Sequence, residues 1–324
     1  MPGAGFHSEG STVLPLNAIP GRWHGQASLR FHIPERGPGT PAATIHQGSA
    51  TAPLKLQRAV QHADGRCELP LLHTAGGLVG GDQLTVRATL EPRSRALLTS
   101  VAAQKVYGTV GRSRLAPEGQ WARQTLHFSL APQSNLEWLP QEVVLFADGL
   151  VEQSVEVELA DGASWLGMDV VRLGRSAAGE TLGQGRWRSR LRIRRLGPGT
   201  PRWELVDPLE ISAANLADEH GLAGQAVLGT LVWAAPAPLE PGVLAELLAA
   251  GRRDRQGLEG AMVCGALEQG LIARYRGPSS QAARFWFTRL WARIRAAQGL
   301  PQPALPRVWP FQEQPLAGVV QAEP

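Results

Sequence analysis

The chain has 324 residues, 43% hydrophobic and 19% charged, with a net charge of +4. That length suits one large domain or two small ones and can bury a core without a structural metal, while two cysteines, Cys67 and Cys264, exclude a disulfide scaffold or a zinc ribbon. No apolar run reaches the roughly 18 residues of a membrane span, and the opening MPGAGFHSEG lacks the regions of a secretory signal, so a soluble, reduced, cytoplasmic protein is expected.

In chain order, residues 1–20 are rich in Gly, Ser and Pro and are expected to form a flexible tail. From about Gly25 to Trp233 the dominant period is two. Leu84, Val86 and Leu90 alternate with Thr85, Arg87 and Thr89; Leu126, Phe128 and Leu130 alternate with His127 and Ser129. Val155, Val157 and Leu159 alternate with Glu156 and Glu158, and Leu191 and Ile193 with Arg190, Arg192 and Arg194. This pattern marks strands with one face on a core and one in water. Turns are signalled by PERGPGTP at 34–41, by Asp64-Gly65, Asp148-Gly149 and Asp161-Gly162, and by LGPGTP at 196–201. The class is mainly β, with too many short strands for one flat sheet; a sandwich, a barrel or a stacked β-solenoid all fit. About two α-helices follow in the C-terminal half. Pro241, before Leu244, Leu247 and Leu248 and with Gly251 as a stop, predicts one near 241–251. Ser279 or Ser280 as N-cap, then Phe287, Leu290, Trp291 and Ile294 at helical spacing, predicts another near 280–298, ended by Gly299 and Pro301. Residues 310–324 read as a second flexible tail, which leaves a single β-rich domain over 21–309.

Signatures of catalysis are missing. The chain has no GxxxxGK[ST], HExxH, CxxC or GxSxG. Its glycine-dense GGLVGGD, residues 76–82, lacks GxGxxG spacing and runs into a strand pattern. The eight histidines are scattered, so neither a catalytic constellation nor a permanent metal site is expected. Three acids sit in informative places: Asp169 within the apolar WLGMDVVRL, Glu137 within LEWLP, and Asp82 after the glycine cluster. A carboxylate taken from water costs several kcal/mol unless paired. Each therefore either pairs with an arginine or lines a wet internal passage. Lysine occurs only at Lys55 and Lys105, so nearly all 32 cations are arginine. Arg186, Arg188, Arg190, Arg192 and Arg194 share one strand face, as do Glu152, Glu156 and Glu158 on another. These two sets either pair across strands or leave an arginine stripe for an acidic partner.

Five segments, in order, carry a resemblance. Residues 72–84 (LHTAGGLVGGDQL), with His73, Gly76, Gly77, Gly80 and Gly81, resemble the LHPPGGxVGGDxL signature of the UreD (UreH) urease accessory protein family. Residues 99–107 (TSVAAQKVY), with Lys105 and Tyr107, and 136–146 (LEWLPQEVVLF), with Glu137, Trp138 and Pro140, are similar to its next segments. LGRSAAGE at 173–180, with Arg175 and Glu180, and PRVW at 306–309, with Pro306, Arg307 and Trp309, complete the match. Thr74 and Ala75 stand where the signature has prolines, and Gln104 replaces a small residue before the lysine. The resemblance implies a β-helical, stacked-sheet fold and a non-enzymatic maturation factor. It implies apo-urease, UreF and the GTPase UreG as partners, a homodimeric accessory complex, and neither nucleic acid nor membrane. It implies no permanently bound cofactor but nickel in transit through an internal tunnel, with Asp82, Asp169 and Glu204 on acidic positions of that route. Transit needs weak, multi-site binding, for which oxygen ligands and water suit better than a Cys/His cage. Two other readings compete: a β-solenoid carbohydrate-active enzyme using Asp82 and Asp169 as its carboxylate pair, and an RNA-binding β protein using the arginine stripe.

Overall fold

The computed structural model describes residues 22–35, 43–197, 199–309 and 314–317, so the tails read at 1–20 and 310–324 lie outside it apart from 314–317. The period-two segments form two sheets. One has seven strands, in the order Arg202–Ile211, Arg186–Arg195, Leu150–Leu159, Ala122–Leu130, Gln83–Leu90, His24–His32 and Ile45–Ala50. The main path of the other runs Ala261–Leu267, Gly270–Gly277, Val227–Ala234, Ser164–Leu173, Asn135–Trp138, Arg95–Ser100, Cys67–His73 and Leu54–Leu56.

Between Cys67 and Arg195 the long strands change sheet at each step. Gln83–Leu90, Ala122–Leu130, Leu150–Leu159 and Arg186–Arg195 stack in parallel in the first sheet. Cys67–His73, Arg95–Ser100, Asn135–Trp138 and Ser164–Leu173 stack in parallel in the second. A chain that visits two sheets in turn and pairs each strand with the one a coil earlier follows a β-helical path. Register then stacks like on like. Ala27, Val86, Leu126, Val155 and Leu191 form one inward row, and Leu29, Ala88, Phe128, Val157 and Ile193 the next. Each fully buried aliphatic side chain in such a row contributes roughly 1.5–3 kcal/mol.

The second sheet is covered on both faces. Trp138, Trp165 and Val171 pack towards the first sheet, whereas Leu166, Met168 and Val170 pack with Trp286, Phe287, Leu290 and Trp291 of a helix. The result is three layers: sheet, sheet, helices. That helix spans Ser280–Ala297, and its cap is Ser279, whose hydroxyl accepts from the Ala282 amide at 3.1 Å.

Three features differ from the sequence reading. The helix Pro241–Arg253 begins at the proline but runs past Gly251. Gly251 is a crossing point, not a stop. A Cβ there would lie 2.9 Å from Leu290 and 3.0 Å from the Cys264 sulfur, and its carbonyl accepts from Trp286 Nε1 at 2.9 Å. Strands continue beyond Trp233 as the hairpin Ala261–Leu267 and Gly270–Gly277, whose Glu268-Gln269 link carries no strong turn signal. A further short helix, Ala213–Ala217, joins the two long ones.

Three members of the arginine stripe, Arg188, Arg192 and Arg194, are engaged in cross-strand pairs. Glu152, Glu156 and Glu158 stand opposite Arg188, Arg192 and Arg194 in the parallel register. Glu156 and Glu158 pair with Arg192 and Arg194, while Arg188 turns to Glu210 at 3.1 Å and Glu152 to Arg123 at 3.3 Å. Among the described residues no helix is long and apolar enough to cross a membrane.

Candidate functional site

On the strand Ser164–Leu173, Trp165, Gly167 and Asp169 point between the sheets. Packing there is incomplete. A cavity of about 90 Å³ lies between Asp169, Thr230, Gln141 and Trp138 of one sheet region and Gln124, Gln153, Ser189 and Asp207 of the other. At roughly 10–15 Å³ per water it has room for several. Its polarity follows from the stacking: Gln124, Gln153 and Ser189 form one register row beside the Leu126, Val155 and Leu191 row. Gln153 accepts from Trp187 Nε1 and donates to Gln124 Oε1 at 3.3 Å.

Asp169 is the unusual member. Burial pushes its carboxyl up to about 6, a hydrogen bond from the Val170 amide pulls the other way, and no charged neighbour contributes. Thr230 lies beside it in register, and Arg274 beside Thr230. Arg274 donates to the Thr230 hydroxyl and, at 2.6 Å, to Asp207 Oδ2 from the first sheet. One void thus collects two carboxylates, one held by a guanidinium and one without a fixed partner. Asp169 thus faces, without a counter-charge, a cavity large enough to admit water.

A second void of about 180 Å³ adjoins the first, sharing Ser100, Gln104, Gln124 and Trp138 with it, and adds His73, Gly76 and Lys105. Burial pushes the His73 imidazole down, against the pull of the Asp82 charge and the Gln104 bond, so it is neutral near pH 7. Gln104 Nε2 lies 3.1 Å from His73 Nδ1, while His73 Nε2 has no hydrogen-bond partner among the described residues. The two voids run from His73 and Lys105, past Gln104 and Trp138, to Asp169 and Asp207.

The glycine-dense loop shapes the first end of this path. The Leu78 amide donates to the Lys105 carbonyl at 2.8 Å, and the Tyr107 amide to the Leu78 carbonyl at 2.9 Å. A Cβ on Gly77 would sit 2.6 Å from the Tyr107 ring, one on Gly80 2.4 Å from the Thr109 hydroxyl, and Gly81 adopts φ +96°. Asp82 closes the loop. Only 1% exposed, its carboxylate accepts from the Val79 amide at 2.9 Å and the Trp23 amide at 3.0 Å. Glu204 occupies the bulge opposite Ile193 and Arg194, where Arg195 clamps it and Arg202 approaches to 3.3 Å. Neither Asp82 nor Glu204 lines the voids, so the three acids are not brought together. Asp82 and Asp169 likewise flank no common sugar cleft.

Asp207 is the acid that sequence reasoning missed. It lies in the same WELVDPL segment as Glu204, and the alternation Leu205, Asp207, Leu209 was the available signal. The remaining motif residues act as framework. Glu137 faces the helices, accepting from Arg66, from Arg295 at 2.8 Å and from Trp291 Nε1 at 2.8 Å. Trp138 and Pro140 line the first void. Glu180 is held below the usual carboxylate range by the Arg175 guanidinium, which stacks 4.6 Å over Phe146, and it also accepts from the Ala147 amide at 2.8 Å. Trp309 donates to the Thr99 hydroxyl at 2.8 Å, and its amide bonds to Pro306, which is buried while Arg307 is exposed. Among the described residues no three His, Cys, Asp or Glu side chains gather as a metal-holding group.

A family model described as UreD urease accessory protein matches residues 24–310. The chain is similar to a protein named urease accessory protein UreD from Synechococcus sp. (strain CC9902), 60% identical over 294 residues that cover 91% of this chain and 93% of the relative. The namesake from Synechococcus sp. (strain WH7805) is 59% identical over 297 residues, covering 91% and 93%. That from Prochlorococcus marinus (strain MIT 9303) is 56% identical over 293 residues, covering 90% and 98%.

Proposed function

The chain belongs to the UreD urease accessory protein family, and from that premise we propose how it serves the maturation of urease. Membership makes it a non-catalytic accessory factor. In our reading residues 21–309 act as one domain in the cytoplasm. This domain docks apo-urease, recruits UreF and the GTPase UreG, and conducts nickel in transit through the hollow between its sheets.

The observation that carries the conduit reading is Asp169, a half-buried carboxylate with no counter-charge, facing a cavity whose other polar lining is the arginine-held Asp207 and the side chains of Gln124, Gln153, Ser189 and Thr230. Such a site attracts a divalent cation through one charge and a few neutral oxygens. That is too little to trap it, and an ion that enters also leaves. The neutral His73 and the Gln104 carboxamide would serve the entrance side. Asp82 and Glu204 support the passage by holding its walls, the first through the glycine loop and the second through Arg195.

Co-expression with UreF, UreG and urease subunits tests the reading. The parent is expected to co-purify with UreF and apo-urease; failure to bind either overturns the scaffold role. Asp169→Asn is expected to assemble normally and to lower the nickel content of the matured urease several-fold. Unchanged nickel loading in an intact complex would reject the conduit.

A further inference from the structure

We propose that Arg274 is a built-in competitor for cations in the inter-sheet cavity, a positioning residue that keeps Asp207 and Thr230 from joining Asp169 as ligands. The inference rests on the conduit reading and adds what keeps the passage from becoming a store.

Asp169, Thr230 and Arg274 occupy one register row across three neighbouring strands. Asp207 reaches that row from the opposite sheet. The cavity is lined by Asp169, Thr230 and Asp207, the last two of which are bonded to Arg274. Its guanidinium binds Asp207 Oδ2 at 2.6 Å and the Thr230 hydroxyl. Two consequences follow. The Asp207 carboxylate already carries a counter-charge, and the Thr230 oxygen already has a donor aimed at it. A divalent ion beside Asp169 therefore meets one free carboxylate, because the guanidinium already holds the Asp207 carboxylate and the Thr230 hydroxyl. Remove the guanidinium and the same hollow offers two carboxylates and a hydroxyl, the hard-oxygen set that retains divalent cations. The Arg274–Asp207 bond also ties the edge strand Arg202–Ile211 to the second sheet. A role confined to that tie would affect stability and leave cation affinity alone.

The test is nickel affinity, measured by calorimetry or equilibrium dialysis on the purified full chain. Arg274→Met and Arg274→Gln are expected to bind Ni²⁺ roughly tenfold more tightly than the parent, or more. Arg274→Lys, which keeps the charge, should stay near the parent, and adding Asp207→Asn to Arg274→Met should cancel the gain. In the activation assay Arg274→Met should lower urease nickel content while nickel accumulates on the accessory protein. Folded Met and Gln variants that bind no more tightly overturn the inference, as does a gain that survives Asp207→Asn. If neither variant folds, Arg274 is a structural tie and the inference falls. The two failures stay distinguishable. An Asp169→Asn protein that still loads urease sinks the conduit whatever Arg274 does. If Asp169→Asn blocks loading and the Arg274 variants show no gain, only the Arg274 inference is lost.

Discussion

Glu137 and Asp169 lie in neighbouring parallel strands of one sheet, and the two faces of that sheet treat them in opposite ways. Glu137 points to the helices, where Arg66, Arg295 and the Trp291 indole all donate to it. Arg66 stacks 5.6 Å from the Trp291 ring, and Arg295 also binds Asp64. Each of these four charges has a fixed partner and is almost fully withdrawn from solvent. Asp169 points to the other sheet and meets a cavity. The same chemical group is a fastening on one face and stands without a counter-charge on the other. What decides is whether the opposing layer supplies a guanidinium or an empty volume.

The largest expected effect breaks the fastened side. Glu137→Gln leaves Arg66 and Arg295 without their shared carboxylate and should cost about 3–5 kcal/mol in urea denaturation, as broken buried pairs do. A loss below about 1 kcal/mol would erase the contrast between the two faces. Next comes Asp169, with a different sign. Its folded carboxyl is raised to about 6, so the folded state holds the proton more tightly than the unfolded chain does. Stability from this group is full below about pH 4 and is lost as pH rises towards about 6, by up to about 3 kcal/mol. Asp169→Asn should remove that slope, read as the parent-minus-variant difference in metal-free unfolding from pH 4 to 7. A flat difference would mean that the cavity solvates Asp169 as well as bulk water does.

A packing pair sharpens the comparison. Gly251→Ala on the helix side places a methyl group 2.9 Å from Leu290 and should cost about 1–3 kcal/mol. Ser189→Ala on the cavity wall should stay within about 0.5 kcal/mol. Equal costs in thermal unfolding would show that the two interiors are packed alike.

Much of this layout is legible in the chain. Period-two alternation yields the stacked strands, because Leu84 to Leu90 and Leu126 to Leu130 need a single buried face. The glycine loop and Lys105–Tyr107 read as separate motifs that the fold joins. The side on which a polar residue lies is harder to read. Glu204 looks like any acid in a strand, yet a bulge turns it onto Arg195. Arg195 itself points inward because it ends the row Phe31, Leu90, Leu130 and Leu159. Asp207 and Arg274 meet only through sheet-to-sheet packing, across 67 residues of sequence. Glu137 and Arg295 are 158 residues apart. Local pattern supplies strands and faces; long-range register decides which charges become partners.

The outer face of the first sheet sets the lower bound. Arg87, His127, Glu156 and Arg192 line up there in register, with Glu156 bonded to Arg192 and 3.4 Å from His127 Nδ1. The Arg192 and Glu156 side chains are 34% and 38% exposed, so water competes for both. Glu156→Gln should therefore cost no more than about 0.5–1 kcal/mol, and the difference should fade between low and high salt. Glu137→Gln should keep its full cost in salt, because its arginine partners are almost fully buried and salt screens buried pairs little. A surface variant as damaging as the buried one, or equally indifferent to salt, would mean that pairing geometry rather than burial governs both. The distinction between the two faces of the second sheet would then lose its physical basis.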